Sequence, residues 1–164
     1  ASDSYPTLAA SGNDLYFLEN TVGNYLYQYS DGTGAVTLLD GTGGVQNYLT
    51  VIGNKLYYTV YDSVDYYLME MDAFGSTTQI SNASGYAISS IIKVNNTLFF
   101  VARNSSESIS RVFSLSNTGS LSSITMPDAD TTATNYPMIT SDGYLYFIVK
   151  SSSGQVEYFR YLVP

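Results

Sequence analysis

A short hairpin occurs four times along the chain, and this repeat constrains the fold more than any other feature of the sequence. Each copy has an apolar strand, a two-residue turn built from Gly, Asn or Asp, and a second strand that opens with Leu and two aromatic residues. The four leucines are Leu15, Leu56, Leu98 and Leu145, which are 41, 42 and 47 residues apart. Self-similarity at a nearly constant period indicates a repeat architecture.

Four strands are predicted in each repeat, because side chains around the hairpins alternate with period two. In the third strand of the first repeat, Tyr25–Ser30, every second residue is Tyr. The repeats span about residues 5–45, 46–86, 87–134 and 135–164, and we expect them to form a single domain over residues 1–164. The fourth repeat ends after its third strand, so its outer strand is missing.

Repeats of four short strands at this period are typical of a β-propeller. A lone four-stranded sheet cannot bury both of its faces, whereas stacked sheets cover each other. We therefore predict an all-β protein, a β-propeller of about four blades of four antiparallel strands, with the last blade lacking its outer strand. A β-sandwich and an open fragment of a larger propeller are the alternatives.

The composition excludes several classes of function. The chain has no His and no Cys, which excludes imidazole catalysis, His-ligated zinc and disulfides. Its net charge is −8 and it has only six Lys and Arg residues. These are too few to form the basic surface that a nucleic-acid-binding protein needs, so nucleic-acid binding is not expected. No run of about 18 apolar residues is present, so membrane insertion is not expected.

The segment LYQYSDG (residues 26–32), which follows a hairpin containing Leu-Tyr-Phe, resembles the blades of secreted bacterial β-propellers of the TolB and ELWxxDGT types. Later repeats depart from it, since Met69 and Phe113 replace the aromatic residue at Tyr27. The resemblance implies an extracytoplasmic binding or scaffold module, often one part of a longer polypeptide. An extracellular, periplasmic or cell-surface location follows from it as an expectation.

The candidate ligand-binding residues lie where the second strand of each repeat ends. In a propeller, the loops after the second strands and those between blades share one face, and variable loops on a rigid scaffold commonly carry function. The residues that follow the second strands differ in chemistry, and Glu19 is the charged member of a column otherwise filled by Val60, Ala102 and Val149. We therefore predict ligand binding at Glu19, Asn20, Tyr61, Arg103 and Lys150.

Metal binding and catalysis have weaker candidates. Asp128 and Asp130 offer alternating oxygen ligands of the kind that calcium takes, without the glycine and distal glutamate of an EF-hand. Glycosidases use paired carboxylates, but Glu70 and Glu157 lie in third strands and are interpreted as outward-facing or edge residues. No catalytic residue is assigned and no cofactor is expected.

Three functions remain open. The favoured one is a noncatalytic extracytoplasmic module that binds a protein or a glycan. The alternatives are a carbohydrate-active enzyme, a glycosidase or lyase using loop carboxylates such as Glu19, and a structural or assembly domain of a larger surface protein. A four-bladed monomer is favoured over a fragment or a dimer, although the unpaired edge of the last repeat could support self-association.

Overall fold

The computed structural model describes residues 8–19, 25–41, 45–61, 66–73, 75–80, 86–104, 110–125, 132–133, 138–151 and 153–164. This part of the chain folds into 16 β-strands. None of it forms a helix of the length and apolar character needed to cross a membrane.

The strands form four antiparallel sheets, which we call blades 1 to 4. Blade 1 contains β1 (Leu8–Ser11), β2 (Asp14–Glu19), β3 (Tyr25–Ser30) and β4 (Ala35–Asp40). Blade 2 contains β5 (Val45–Ile52), β6 (Lys55–Tyr61), β7 (Tyr66–Met71) and β8 (Thr77–Gln79). Blade 3 contains β9 (Tyr86–Val94), β10 (Thr97–Asn104), β11 (Ser110–Ser116) and β12 (Leu121–Ser123). In these three blades, strands that are consecutive in sequence are neighbours in the sheet, as predicted.

Blade 4 contains β13 (Thr132–Ala133), β14 (Ile139–Ser141), β15 (Tyr144–Lys150) and β16 (Val156–Leu162). Both β13 and β14 pair with the same edge of β15, and β16 pairs with the other. The blade is therefore three strands wide, and within the described residues nothing pairs with the outer edge of β16, so the prediction of a missing outer strand is confirmed. Strand β13 was not among the predicted strands, and it forms because β15 extends beyond β14 and offers further backbone partners.

The chain divides into two compact units, residues 1–84 and 85–164. The first unit holds blades 1 and 2, and its core consists of Leu26 from blade 1 with Leu49, Leu56, Tyr58 and Met71 from blade 2. The second unit holds blades 3 and 4, and its core runs from Phe99, Val101 and Val112 in blade 3 to Leu145, Phe147 and Val149 in blade 4. In each unit, the core lies between two sheets that pack face to face.

Every blade has one face that carries its repeat leucine, which we call the leucine face, and an opposite face. In blade 2, Leu56 and Tyr58 on the leucine face pack in one cluster with Tyr16, Leu18 and Leu26, which lie on the opposite face of blade 1. The second unit repeats this arrangement, since the leucine face of blade 4 packs on the opposite face of blade 3. The same repeat position therefore contributes to the core in both units.

Candidate binding surface at the loop ends of the blades

The residues predicted to bind a ligand lie at the ends of second strands, on all four blades. Glu19 ends β2 and Tyr61 ends β6, both in the first unit. Arg103 lies one residue before the end of β10 and Lys150 ends β15, both in the second unit, and both side chains are exposed. Asn20 lies outside the described residues. Ligand binding by these residues stays a prediction.

An aromatic pair lies at the end of blade 2 where β6 ends and β7 begins, which we call the loop end of the blade. Tyr61 and Tyr66 are directly opposite each other on β6 and β7, and their ring centroids are 4.8 Å apart at an interplanar angle of 34°. Each residue is 37% exposed, so the pair presents apolar ring surface to solvent from a strand-held position. Tyr66 was missed by the sequence reasoning. Its position at the start of the third strand of the repeat, a few residues after Tyr61 in the sequence, was the signal that could have identified it.

Glu19 is held by a neighbour on its own blade. The Tyr27 hydroxyl donates a hydrogen bond to the Glu19 carboxylate, and desolvation together with this carboxylate raises the pKa of Tyr27. Both residues lie on the leucine face of blade 1, where the Tyr27 ring also stacks on Phe17 at a centroid distance of 5.5 Å. Glu19 therefore has a structural role as a hydrogen-bond acceptor for a partly covered tyrosine.

Glu70 is not the outward-facing residue that its strand pattern indicated. Its side chain is only 15% exposed and forms an ion pair with Lys55, with Nζ and Oε1 2.6 Å apart. The Tyr57 hydroxyl donates to Oε2 over 2.8 Å. Tyr57 is opposite Glu70 in the sheet and fully buried, so burial, reinforced by the carboxylate, raises the pKa of Tyr57. By contrast, Glu157 is exposed, as predicted. The period-two pattern places both residues on a face, but cannot tell whether that face is covered.

A cleft of about 220 Å³ lies between blades 1 and 2 at the end where the tight turns are found. Its polar lining includes Asp14, Tyr16, Gln28, Asn54 and Asp72. Asp72 is engaged in its own turn, since it accepts a hydrogen bond from the Ser76 amide at 2.9 Å. Desolvation, with a smaller effect of the Asp14 charge, raises the pKa of Tyr16. The sequence reasoning assigned no function to this end of the blades.

The calcium candidates Asp128 and Asp130 lie outside the described residues, so calcium binding there stays a prediction. Within the part of the chain that the structure describes, no group of three or more acidic side chains is placed to hold a metal ion.

No protein-family model and no curated protein matches the sequence, whereas many solved structures match the fold. TolB from Acinetobacter baumannii is 16% identical with a TM-score of 0.55, and the match covers 93% of this chain and 42% of that one. A prolyl endopeptidase is 18% identical with a TM-score of 0.56, covering 93% and 25% of the two chains. A chain of the nidogen–laminin complex is 11% identical with a TM-score of 0.52, covering 96% and 62%.

This chain therefore spans less than two thirds of each of these three structures. Likeness at such low identity concerns the fold alone. Together with the four repeated antiparallel sheets, it confirms the fold prediction: the chain is an all-β protein with the fold of a β-propeller.

Proposed function

We propose that the chain is a noncatalytic binding module whose ligand, a protein or a glycan, contacts the loop ends of the blades. The observation that carries the proposal is the exposed Tyr61–Tyr66 pair, with centroids 4.8 Å apart. Tyrosine offers a large, flat, amphipathic surface and loses little conformational entropy when it is covered, which is why it is enriched at binding hot spots.

The position of the pair suits recognition. Both rings project from strand ends that pair in register, so their orientation is largely set before a ligand arrives, and pre-organisation reduces the cost of binding. Arg103 and Lys150 lie at the corresponding strand ends of the second unit, and both side chains are exposed. Cationic side chains at these positions favour ligands that carry carboxylate or sulfate groups.

Several finer points belong to the same proposal. The TolB-type or ELWxxDGT-type character of the repeats and the extracytoplasmic location are supported by the blade motif at residues 26–32. Enzyme activity has less support: Glu19 is engaged with Tyr27, and the prolyl endopeptidase is matched over only 25% of its length. Self-association is a separate proposal, based on the exposed faces of blades 1 and 4.

The experiment is a binding screen with matched variants. The labelled wild-type chain is applied to a glycan array and to a phage-displayed random peptide library. The strongest hit is then titrated with Tyr61→Ala, Tyr66→Ala and the control Thr78→Ala, which removes an exposed side chain from β8 of the same blade. We expect each of the first two variants to bind about tenfold more weakly or worse, as at a hot spot, and the control to bind like the wild type.

Two outcomes would overturn the proposal. One is the absence of any hit in either screen at micromolar chain concentration. The other is a hit whose affinity is the same for all three variants, because the ligand would then contact a different surface.

A further inference from the structure

The exposed apolar side chains of this protein are concentrated in three places. Among the described residues, eight large hydrophobic side chains are exposed, and two of them are the Tyr61–Tyr66 pair. The other six are Leu8, Val36, Leu38, Val156, Tyr158 and Leu162. The first three belong to blade 1 and the last three to β16 of blade 4. Contiguous apolar patches on a protein surface commonly mark interaction sites.

The three blade 1 residues share the leucine face. Leu8, Phe17, Tyr27 and Leu38 are directly opposite one another across the four strands, so they form one row of side chains, and Val36 is opposite Tyr29 on the same face. Leu38 is 52% exposed. At the repeat-equivalent leucine position, Leu56, Leu98 and Leu145 are all buried, whereas Leu15 is only partly covered.

The three blade 4 residues share the opposite face of that blade. Tyr158 pairs with Ile148 and Leu162 pairs with Tyr144, so the side chains of β16 form a continuous surface with those of β15. Arg160 lies over the Tyr144 ring at 5.0 Å from its centroid. Tyr158 is 84% exposed, whereas Val101 and Val112 on the corresponding face of blade 3 are completely buried.

The packing inside each unit indicates what covers these two surfaces. In the first unit, a leucine face packs on the opposite face of the neighbouring blade, and the second unit uses the same pairing. By the same pairing, the expected partner of the leucine face of blade 1 is the opposite face of another blade. Among the described residues, the opposite face that carries a comparable exposed patch belongs to blade 4.

The charges on the two surfaces are complementary. The leucine face of blade 1 carries the carboxylate of Glu19 at the end of β2. The opposite face of blade 4 carries Lys150 at the equivalent end of β15, and Arg160 further along β16. Opposite charges at the rims of two apolar surfaces steer their association and set their register.

We propose that these two faces bind each other between two copies of the chain, with the leucine face of blade 1 from one copy packing on the opposite face of blade 4 from the other. Both surfaces are exposed and are complementary in face type and in charge, so a second copy of the chain supplies to each surface the kind of partner that it pairs with inside the units. Two such contacts related by a twofold axis would close a dimer, whereas an arrangement that does not close would grow into chains.

The test is complementation between two variants, measured by sedimentation velocity from about 1 to 100 μM, a range that covers typical weak to moderate dimers. Leu38→Asp damages the blade 1 surface and Tyr158→Asp damages the blade 4 surface. Both residues are largely exposed, so the variants should fold, which near-ultraviolet circular dichroism checks. We expect the wild type to associate and each variant alone to be monomeric.

An equimolar mixture of the two variants should recover association, because each supplies the surface that the other has lost. The control Tyr61→Asp alters an exposed tyrosine outside both faces and should associate like the wild type, so failure of the loop-end proposal leaves this one intact. The inference is overturned by a wild type that stays monomeric over the whole range, by association that survives both substitutions, or by a mixture that does not associate.

Discussion

At the scale of single residues, the tyrosines show how one residue type takes different roles according to what covers its ring. Tyr57 and Tyr58 are fully buried, and their hydroxyls donate to the carboxylates of Glu70 and Asp40. Tyr48 is also buried. Burial raises the pKa of all three above the ordinary value of 10.0, while Tyr158 stands almost fully in solvent.

These raised pKa values predict that the free energy of unfolding falls in alkaline solution. The native state keeps the three protons to higher pH than the unfolded chain does, so their contribution is complete below pH about 10 and is lost as the pH rises above it. Urea unfolding between pH about 8 and 11 measures the slope. Tyr57→Phe should make the fall shallower, by at most about 1.4 kcal/mol per pH unit. A stability that is flat across this interval, or a variant with the wild-type slope, would contradict the assignment.

At the scale of elements, the hairpin turns have a common backbone requirement. The first turn residue has a left-handed φ in every blade: 58° at Gly12, 61° at Gly53, 52° at Asn95 and 51° at Asp142. Only Gly adopts this conformation freely, and Asn and Asp tolerate it better than other residues. The turn chemistry in the sequence is therefore explained residue by residue.

Two glycine substitutions isolate this effect. A Cβ added at Gly53 or at Gly32 would meet no atom within 4 Å, but only Gly53 has a left-handed φ. We expect Gly53→Ala to lower the free energy of unfolding by about 1–2 kcal/mol, and Gly32→Ala to change it by no more than about 0.5 kcal/mol. Urea unfolding of both variants gives the comparison. Equal effects at the two sites would mean that backbone strain is not the cause.

At the scale of the whole molecule, the repeat positions become inequivalent because their faces are covered to different extents. Leu98 is completely buried, whereas Leu15 at the same repeat position is partly exposed. Leu98→Ala should cost about 2–5 kcal/mol of unfolding free energy, the range for a buried leucine that leaves a cavity. Leu15→Ala should cost less than half of that amount, since it removes less buried surface.

These two leucine variants are compared by urea unfolding at a concentration where the chain is monomeric. Concentration matters because association through the leucine face of blade 1 would cover Leu15 and raise its cost. Similar losses for both variants in the monomer would show that the exposed face is covered within the chain.

Sequence patterns located most strands because alternation and turn chemistry act over a few residues. The bounds of β3 (Tyr25–Ser30) were predicted to the residue. Where the structure differs from the prediction, the cause is a contact with a strand outside the segment concerned. Strand β13 forms because β15 has a free stretch of edge, and Glu70 is partly buried because Lys55 and Tyr57 meet it across the sheet. The predicted sites at Asn20, Asp128 and Asp130 lie outside the described residues.

Local patterns are sufficient to show that the chain is built from repeated antiparallel sheets, because residue alternation and turn chemistry are properties of a few neighbouring residues in each repeat. Which faces of those sheets are core and which are surface depends on the packing of neighbouring sheets. Burial depends on whether a neighbouring sheet is present, and that neighbour lies tens of residues away along the chain. This is why four equivalent leucines differ in exposure, and why the apolar faces of blades 1 and 4 could be recognised only after the sheets were assembled.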